Sequence, residues 1–247
     1  MTAAQLSIAT AAWHSRPKPA ARPVALVRDF GAAAPRSNVI AAHGAADALQ
    51  RIGHVLQVAK GRTVIEAGSA NDSIIQVRDG ILRVVHILPD GRRHVARFLK
   101  PGDFYGLSES EENESSVEAI TPCTLIRYSR RDIDAIVDSD VAAGRQLLRL
   151  ACRQLAASDR MLLLLGRKTA AERLASFLMS FASPASDGSL KVFLPMSRGD
   201  IADYLGLTIE TVSRLVTRFR TASWIRLLDS HTLAIIDRPA LEALSEN

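Results

Sequence analysis

The sequence predicts an α+β protein with an antiparallel β-roll, one long dimerisation helix and a C-terminal winged helix-turn-helix. Three observations carry that expectation. Between residues 63 and 128, short apolar stretches alternate with polar positions and are punctuated by glycines, as strands joined by turns require. Across residues 141–165 the apolar period lengthens to that of a helix. Across residues 197–221, two short amphipathic patterns meet at Gly206.

The elements follow in order. Residues 1–44 are expected to form a flexible N-terminal extension, because Pro17, Pro19, Pro23 and Pro35 forbid a continuous helix or a central strand. A sensor-like domain is expected over residues 45–140, opening with a short helix at 45–55. Strands are predicted at 63–65, 74–77, 81–87 and 94–99, and an alternation over 117–128 closes the roll. Arg78-Asp79-Gly80 and Pro89-Asp90-Gly91 supply turns, since glycine takes positive φ without steric cost and proline presets its own φ. Residues 132–137 return to helical periodicity.

The dimerisation helix is expected over residues 141–166, ended or bent by Gly166. Its Leu148, Ala151, Leu155, Ser158, Leu162 and Leu165 step by alternating three and four residues, the seam of a coiled coil. A single amphipathic helix can bury such a seam within its own domain. Leu147, Leu150 and Leu163, however, lie off the seam and need burial as well. The helix is therefore expected to pack on its own domain and on a symmetry mate, giving a two-fold homodimer.

Residues 167–247 are expected to form the winged helix-turn-helix. Thr169 caps a helix at 170–182 that buries Leu174, Phe177, Leu178 and Phe181, a loop follows at 183–188, and a short strand at 192–194. Ser197 caps a helix at 198–205 with Ile201, Ala202 and Leu205 inward. Gly206 makes the turn, Leu207 fills the corner, and Thr208 caps a second helix running from Ile209 to about residue 222. Ile209, Val212, Val216 and Phe219 form its core face. The opposite face carries Glu210, Ser213, Arg214 and Thr217, with Arg218 alongside. A helix-turn-helix places the start of its second helix in the major groove. There Arg214 can donate twice to guanine, Glu210 can accept from cytosine N4, and Ser213 can reach a base edge or a phosphate. Thr208, Thr211, Arg218 and Arg198 complete the candidate DNA-binding set. The plain alternative is a solvated Glu210–Arg214 ion pair, worth about 0.3–0.5 kcal/mol. The preceding helix and its glycine turn decide for DNA. Residues 224–228 and 232–236 read as the hairpin of a wing, on which Arg226 and His231 could touch phosphate, although solvated wing residues are the commoner case.

A net charge of +5 suits a polyanionic partner without identifying one. Cys123 and Cys152 stand far apart without CxxC spacing, so neither a disulfide framework nor a self-contained metal site is written here. Both are expected as buried structural thiols, and His86 and His94 as hydrogen-bonded strand histidines rather than haem ligands. No nucleophile–base pair, phosphate loop or metal-ligand spacing is present, so an enzyme is not expected, nor is a cofactor. The apolar run at 161–165 is far too short to span a membrane. A cytoplasmic protein without a membrane partner is expected.

Met161-Leu162-Leu163-Leu164-Leu165, Ala171-Glu172-Arg173-Leu174-Ala175 and above all SRGDIADYLGLTIETVSRL carry a family resemblance. Together with the order of roll, helix and winged helix-turn-helix, they make residues 45–245 resemble the CRP/FNR family of transcription regulators. The resemblance implies a cyclic-nucleotide-binding-like roll and a regulator that mainly activates, with double-stranded DNA and RNA polymerase as partners. Glu210, Ser213 and Arg214 resemble the FNR and FixK side of the family, which implies a palindrome like TTGAT-N4-ATCAA. Arg214 and Glu210 would then read the inner G·C pair of each half-site, and Ser213 its neighbour. The hairpin at Leu88, Pro89, Asp90 and Gly91 resembles the family's polymerase-contacting loop.

Two departures narrow the resemblance. Residues 1–50 contain no cysteine, so the iron–sulfur cluster of FNR has no ligands there. Residues 104–118 contain no arginine where the cyclic-nucleotide binders carry an Arg-Ser pair, and Glu109, Glu111, Glu112 and Glu114 would repel a phosphate. What remains resembles the cysteine-cluster-free FixK-like branch, active without a bound cofactor and placed in an oxygen-limitation or nitrogen-fixation type circuit. The small, neutral Ser158 fits ligand-free pairing across the seam. The alternative is an effector-dependent regulator of the same fold, sensing a small molecule or haem ligand in the β-roll.

Overall fold

A computed structural model describes residues 52–246. The expected extension at 1–44 and most of the expected helix at 45–55 lie outside the described residues. The end of that helix is corrected: His54–Val58 is a strand, β1, paired from His54↔Arg127 to Val58↔Cys123.

The roll continues through β2 (Thr63–Ile65), β3 (Ser73–Asp79), β4 (Leu82–Ile87), β5 (Arg93–Leu99), β6 (Phe104–Tyr105), β7 (Ser116–Ala119) and β8 (Cys123–Ser129). They form two antiparallel sheets, ordered β1-β8-β3-β6 and β2-β7-β4-β5. Alternation along the strands sends Ile75, Val77, Leu82, Val84, Val117 and Leu125 into one buried aliphatic cluster. Gly80 makes the β3–β4 turn at φ 87°, and a Cβ there would stand 2.5 Å from the Pro122 carbonyl oxygen. Only glycine fits that position.

Helix α1 (Arg130–Ser139) starts where Ser129 accepts the Asp132 N–H at 3.1 Å. Helix α2 (Val141–Arg167) starts where Asp140 accepts the Ala142 N–H at 2.8 Å. Leu147 and Leu150 pack against Phe104 and Tyr128 of the roll and Ile133 of α1. Leu163, expected to be buried, is exposed. The helix ends at Arg167, one residue past Gly166, and there Arg173 reaches back to the Leu165 and Lys168 carbonyls at 2.8 and 2.9 Å. Those bonds satisfy terminal acceptors, and one glycine in a helix costs only about 1 kcal/mol.

Thr169 and Glu172 form a reciprocal capping box at the start of α3 (Ala170–Ser180). This helix stops short of residue 182, because Ala182–Pro184 becomes an edge strand, β9, against β10 (Leu190–Phe193). Proline is tolerated at such an edge. Then come α4 (Arg198–Leu205), α5 (Ile209–Thr221), β11 (Ile225–Leu227) and β12 (Thr232–Ile235), the strands ordered β11-β12-β10-β9. A last helix, α6 (Arg238–Glu246), was not expected; Asp237 accepts the Ala240 N–H at 3.0 Å, and Leu241 is buried in the core shared with α3. That core also takes in Val95, Phe98 and Ile120 of the roll.

Candidate nucleic-acid interface

The helix pair is built from short-range bonds. At the start of α4, Ser197 Oγ accepts the Asp200 N–H and Asp200 Oδ2 accepts the Ser197 N–H, each at 3.0 Å. Gly206 closes the helix at φ 62°, the left-handed conformation that frees the chain to turn. Thr208 then caps α5 by accepting the Thr211 N–H at 3.2 Å.

One face of α5 anchors it. Val212, Val216 and Phe219 are buried, and Phe219 packs on Trp224 with ring centroids 5.2 Å apart. Ile209, expected with them, is 52% exposed, because the first residue of α5 stands beyond the edge of the core. It joins Glu210, Ser213 and Arg214 in lining one open depression.

The outward face brings Glu210, Ser213, Arg214, Thr217 and Arg218 to solvent together. Glu210 and Arg214 form no ion pair with each other among the described residues. Its own backbone N–H and the Thr208 hydroxyl, with the Arg214 charge adding to them, hold the Glu210 carboxyl below the usual carboxylate range. An ionised acceptor and a guanidinium donor thus stand one turn apart, matching the cytosine N4 donor and the guanine O6 and N7 acceptors of one base pair. Thr208 is exposed and Thr211 half-buried, their hydroxyls 3.1 Å apart. Thr217 donates to the Ser213 carbonyl at 3.0 Å. Arg198 is not on this face. It is half-buried at the α4 terminus beside the wing, with Nη1 enclosed and unpartnered among the described residues, and burial lowers its pKa.

In the wing turn, Asp229 accepts the His231 and Thr232 N–H groups at 2.7 and 2.8 Å, and the His231 ring bonds the Leu194 carbonyl at 3.2 Å. Arg226 is exposed.

On α2, Leu148 and Leu155 are each 64% exposed and Leu162 72%. Ala151 and Ser158 lie open between them, and Leu165 is half-buried. Cys152 is also exposed, a correction to the expected buried thiol. Cys123 is buried as expected, and burial raises its pKa. His86 bonds Ser115 Oγ at 2.8 Å and His94 bonds the Asp203 carbonyl at 3.0 Å, so both strand histidines have partners.

The β4–β5 hairpin carries Pro89, Asp90 and Gly91 at an exposed tip, with Gly91 at φ 85° and Asp90 paired to Arg92 at 2.7 Å. Between β6 and β7, Glu109, Glu111, Glu112 and Glu114 face solvent. Arg130 clamps that loop through the Gly106 and Ser108 carbonyls, both at 2.6 Å. No group of three His, Cys, Asp or Glu residues able to hold a metal occurs among the described residues. No described helix is long and apolar enough to cross a membrane.

Sequence reasoning missed Asp200, which both caps α4 and binds arginines of the roll. The Ser197-x-x-Asp200 spacing signals the cap; nothing local signals the arginines.

A winged helix-turn-helix joined by a long helix to such a roll defines a class, the DNA-binding transcription regulators with a cyclic-nucleotide-binding-like domain. A cyclic nucleotide-binding domain model matches residues 55–140, and a Crp-like helix-turn-helix domain model matches residues 172–244. The nitrogen fixation regulation protein FixK of Rhizobium meliloti is 41% identical over 184 residues, covering 74% of this chain and 83% of that one. Its namesake in Bradyrhizobium diazoefficiens is 34% identical over 199 residues, covering 79% and 84%. The structure of FixK2 from Bradyrhizobium japonicum matches with a TM-score of 0.72 at 31% identity, over 78% of this chain and 97% of that one. The chain belongs to the CRP/FNR family of transcription regulators and is FixK-like within it; it is a regulator, not an enzyme.

Proposed function

We propose that this chain is a cytoplasmic transcription activator that binds, as a homodimer, a palindrome like TTGAT-N4-ATCAA. Arg214 and Glu210 read the inner G·C pair of each half-site, Ser213 assists beside them, and Thr208, Thr211 and Arg218 complete the DNA-binding set. Pro89, Asp90 and Gly91 touch RNA polymerase. The parts divide as an extension (1–44), a sensor-like roll (45–140), a dimerisation helix (141–166) and a reader (167–247). The FixK relatives, named for nitrogen fixation regulation, support a nitrogen-fixation or oxygen-limitation circuit. Aliphatic filling of the roll and the exposed carboxylates of the β6–β7 loop support activity without a bound cofactor.

One observation carries the DNA reading: Glu210 and Arg214 stand exposed and unpaired with each other on a helix whose reverse face is buried. The test is a gel shift on the palindrome with wild type and Arg214→Ala. A bidentate contact is worth about 1–3 kcal/mol, so each half-site should lose about 5- to 150-fold in affinity, with relaxed selectivity at the G·C pair. Unchanged affinity and selectivity would refute the assignment.

A further inference from the structure

Away from the reading face, the roll grips α4 through charge. Arg83 of β4 places Nη1 2.6 Å from Asp200 Oδ1, and Arg93 of β5 places Nη2 2.7 Å from the same oxygen. Arg93 Nε also reaches Asp203 Oδ2 at 2.8 Å, so one guanidinium bridges two carboxylates on adjacent turns of α4. Behind Arg83, Glu118 of β7 accepts from Nε and Nη2 at 2.8 and 2.6 Å. His94 Nδ1 bonds the Asp203 carbonyl. Beneath these charges Phe98 of β5 packs on Phe177, Phe181 and Tyr204, with centroids 5.2–6.1 Å apart.

We infer that Arg83 and Arg93 are positioning residues for DNA reading: through Asp200 and Asp203 they fix the direction in which the roll presents α4 and α5. Asp200 divides its work. Oδ2 caps α4 through Ser197, while Oδ1 takes both arginines, and the side chain is only 4% exposed. Releasing the arginines therefore leaves the cap in place. An aromatic contact alone lets one surface slide on another, whereas a planar guanidinium forked across two carboxylates resists both sliding and rotation. α4 packs on α5, so whatever fixes α4 about its axis also fixes the reading face. In a dimer, that direction sets the distance between two reading heads, and hence the half-site spacing they accept.

The inference rests on the palindrome reading above, and one experiment separates their failures. Full-length wild type, Arg93→Gln and Arg93→Lys are titrated by fluorescence anisotropy against palindromes with spacers of three, four and five base pairs and against a lone half-site. Wild type should prefer the four-base-pair spacer. Arg93→Gln should lose roughly 5- to 50-fold on that spacer, within the usual range of coupling between sites, and much of its spacer preference. Lone half-site binding and selectivity at the G·C pair should be unchanged, which a general loss of folding would not leave intact. Arg93→Lys, which keeps the charge, should recover part of the preference. If Arg93→Gln does not fold, as judged by circular dichroism, Asp203→Asn removes one arm of the grip and is read in the same way. A selective wild type with an equally selective Arg93→Gln overturns the positioning role alone. A wild type that binds no palindrome overturns the palindrome reading and this inference with it.

Discussion

Replacing Leu155 with lysine tests the dimer seam with little consequence for the single chain. Complete burial of a leucine is worth about 1.5–3 kcal/mol. Leu155 is 64% exposed, so about 1–2 kcal/mol per chain, or 2–4 kcal/mol per dimer, is still to be gained when a partner covers it. Each 1.4 kcal/mol is tenfold, so Leu155→Lys should raise the dimer dissociation constant by at least about 30- to 700-fold, before the cost of opposing two ammonium groups is added. Sedimentation equilibrium over nanomolar to micromolar protein measures the shift, and circular dichroism checks that helix content is kept. If the variant dimerises like wild type, the line of Leu148, Leu155 and Leu162 is not the interface and the pairing must be sought elsewhere.

Ser158→Asp should weaken dimerisation and palindrome binding in parallel, because it sets two carboxylates against each other across the two-fold axis; sedimentation and gel shift on the same preparation compare them. In the monomeric Leu155→Lys background, iodoacetamide should modify Cys152, which is exposed, and spare Cys123, which is buried with its pKa raised; mass spectrometry of the digests tells them apart. Burial works to raise the Asp200 pKa, but bonds from the Ser197 hydroxyl and N–H, with the charges of Arg83 and Arg93, outweigh it and lower the pKa below 3.8. A folded value below the unfolded one means a stability contribution that is full above about pH 4 and is lost as pH falls through the folded value. The stability deficit of Ser197→Ala, about 1 kcal/mol for a lost cap at neutral pH, should therefore shrink below pH 4 in thermal melts; a deficit that grew on acidification would contradict this origin.

Where the governing contacts are local, the sequence already announces them. Thr169, Ser197 and Thr208 each bond an amide three residues on, and all three caps were legible as spacing. The period of Val212, Val216 and Phe219 likewise separates the buried from the open side of α5. Errors fall where tertiary context overrides such signals. Ile209 keeps the period but stands beyond the end of the core. Val55 enters a strand because β8 offers it a paired edge, and the sequence around residue 55 holds no trace of β8. The start of α6 at Asp237-Arg238-Pro239 is by contrast a local signal, with a capping residue and a proline in the first turn.

The grip on α4 belongs to a different order of information. Arg83 and Asp200 lie 117 residues apart, and Arg93 and Asp203 lie 110 apart, so no window of sequence contains both ends of either pair. Each residue by itself reads as a solvated surface charge. What makes the cluster specific is that β4 and β5 run antiparallel, bringing two arginines from opposite sides of a hairpin onto one helix, where exposed pairs of the Asp90–Arg92 kind contribute little. The tip of that same hairpin carries Pro89, Asp90 and Gly91. The grip therefore joins β4 and β5, the two strands that carry this tip, directly to α4.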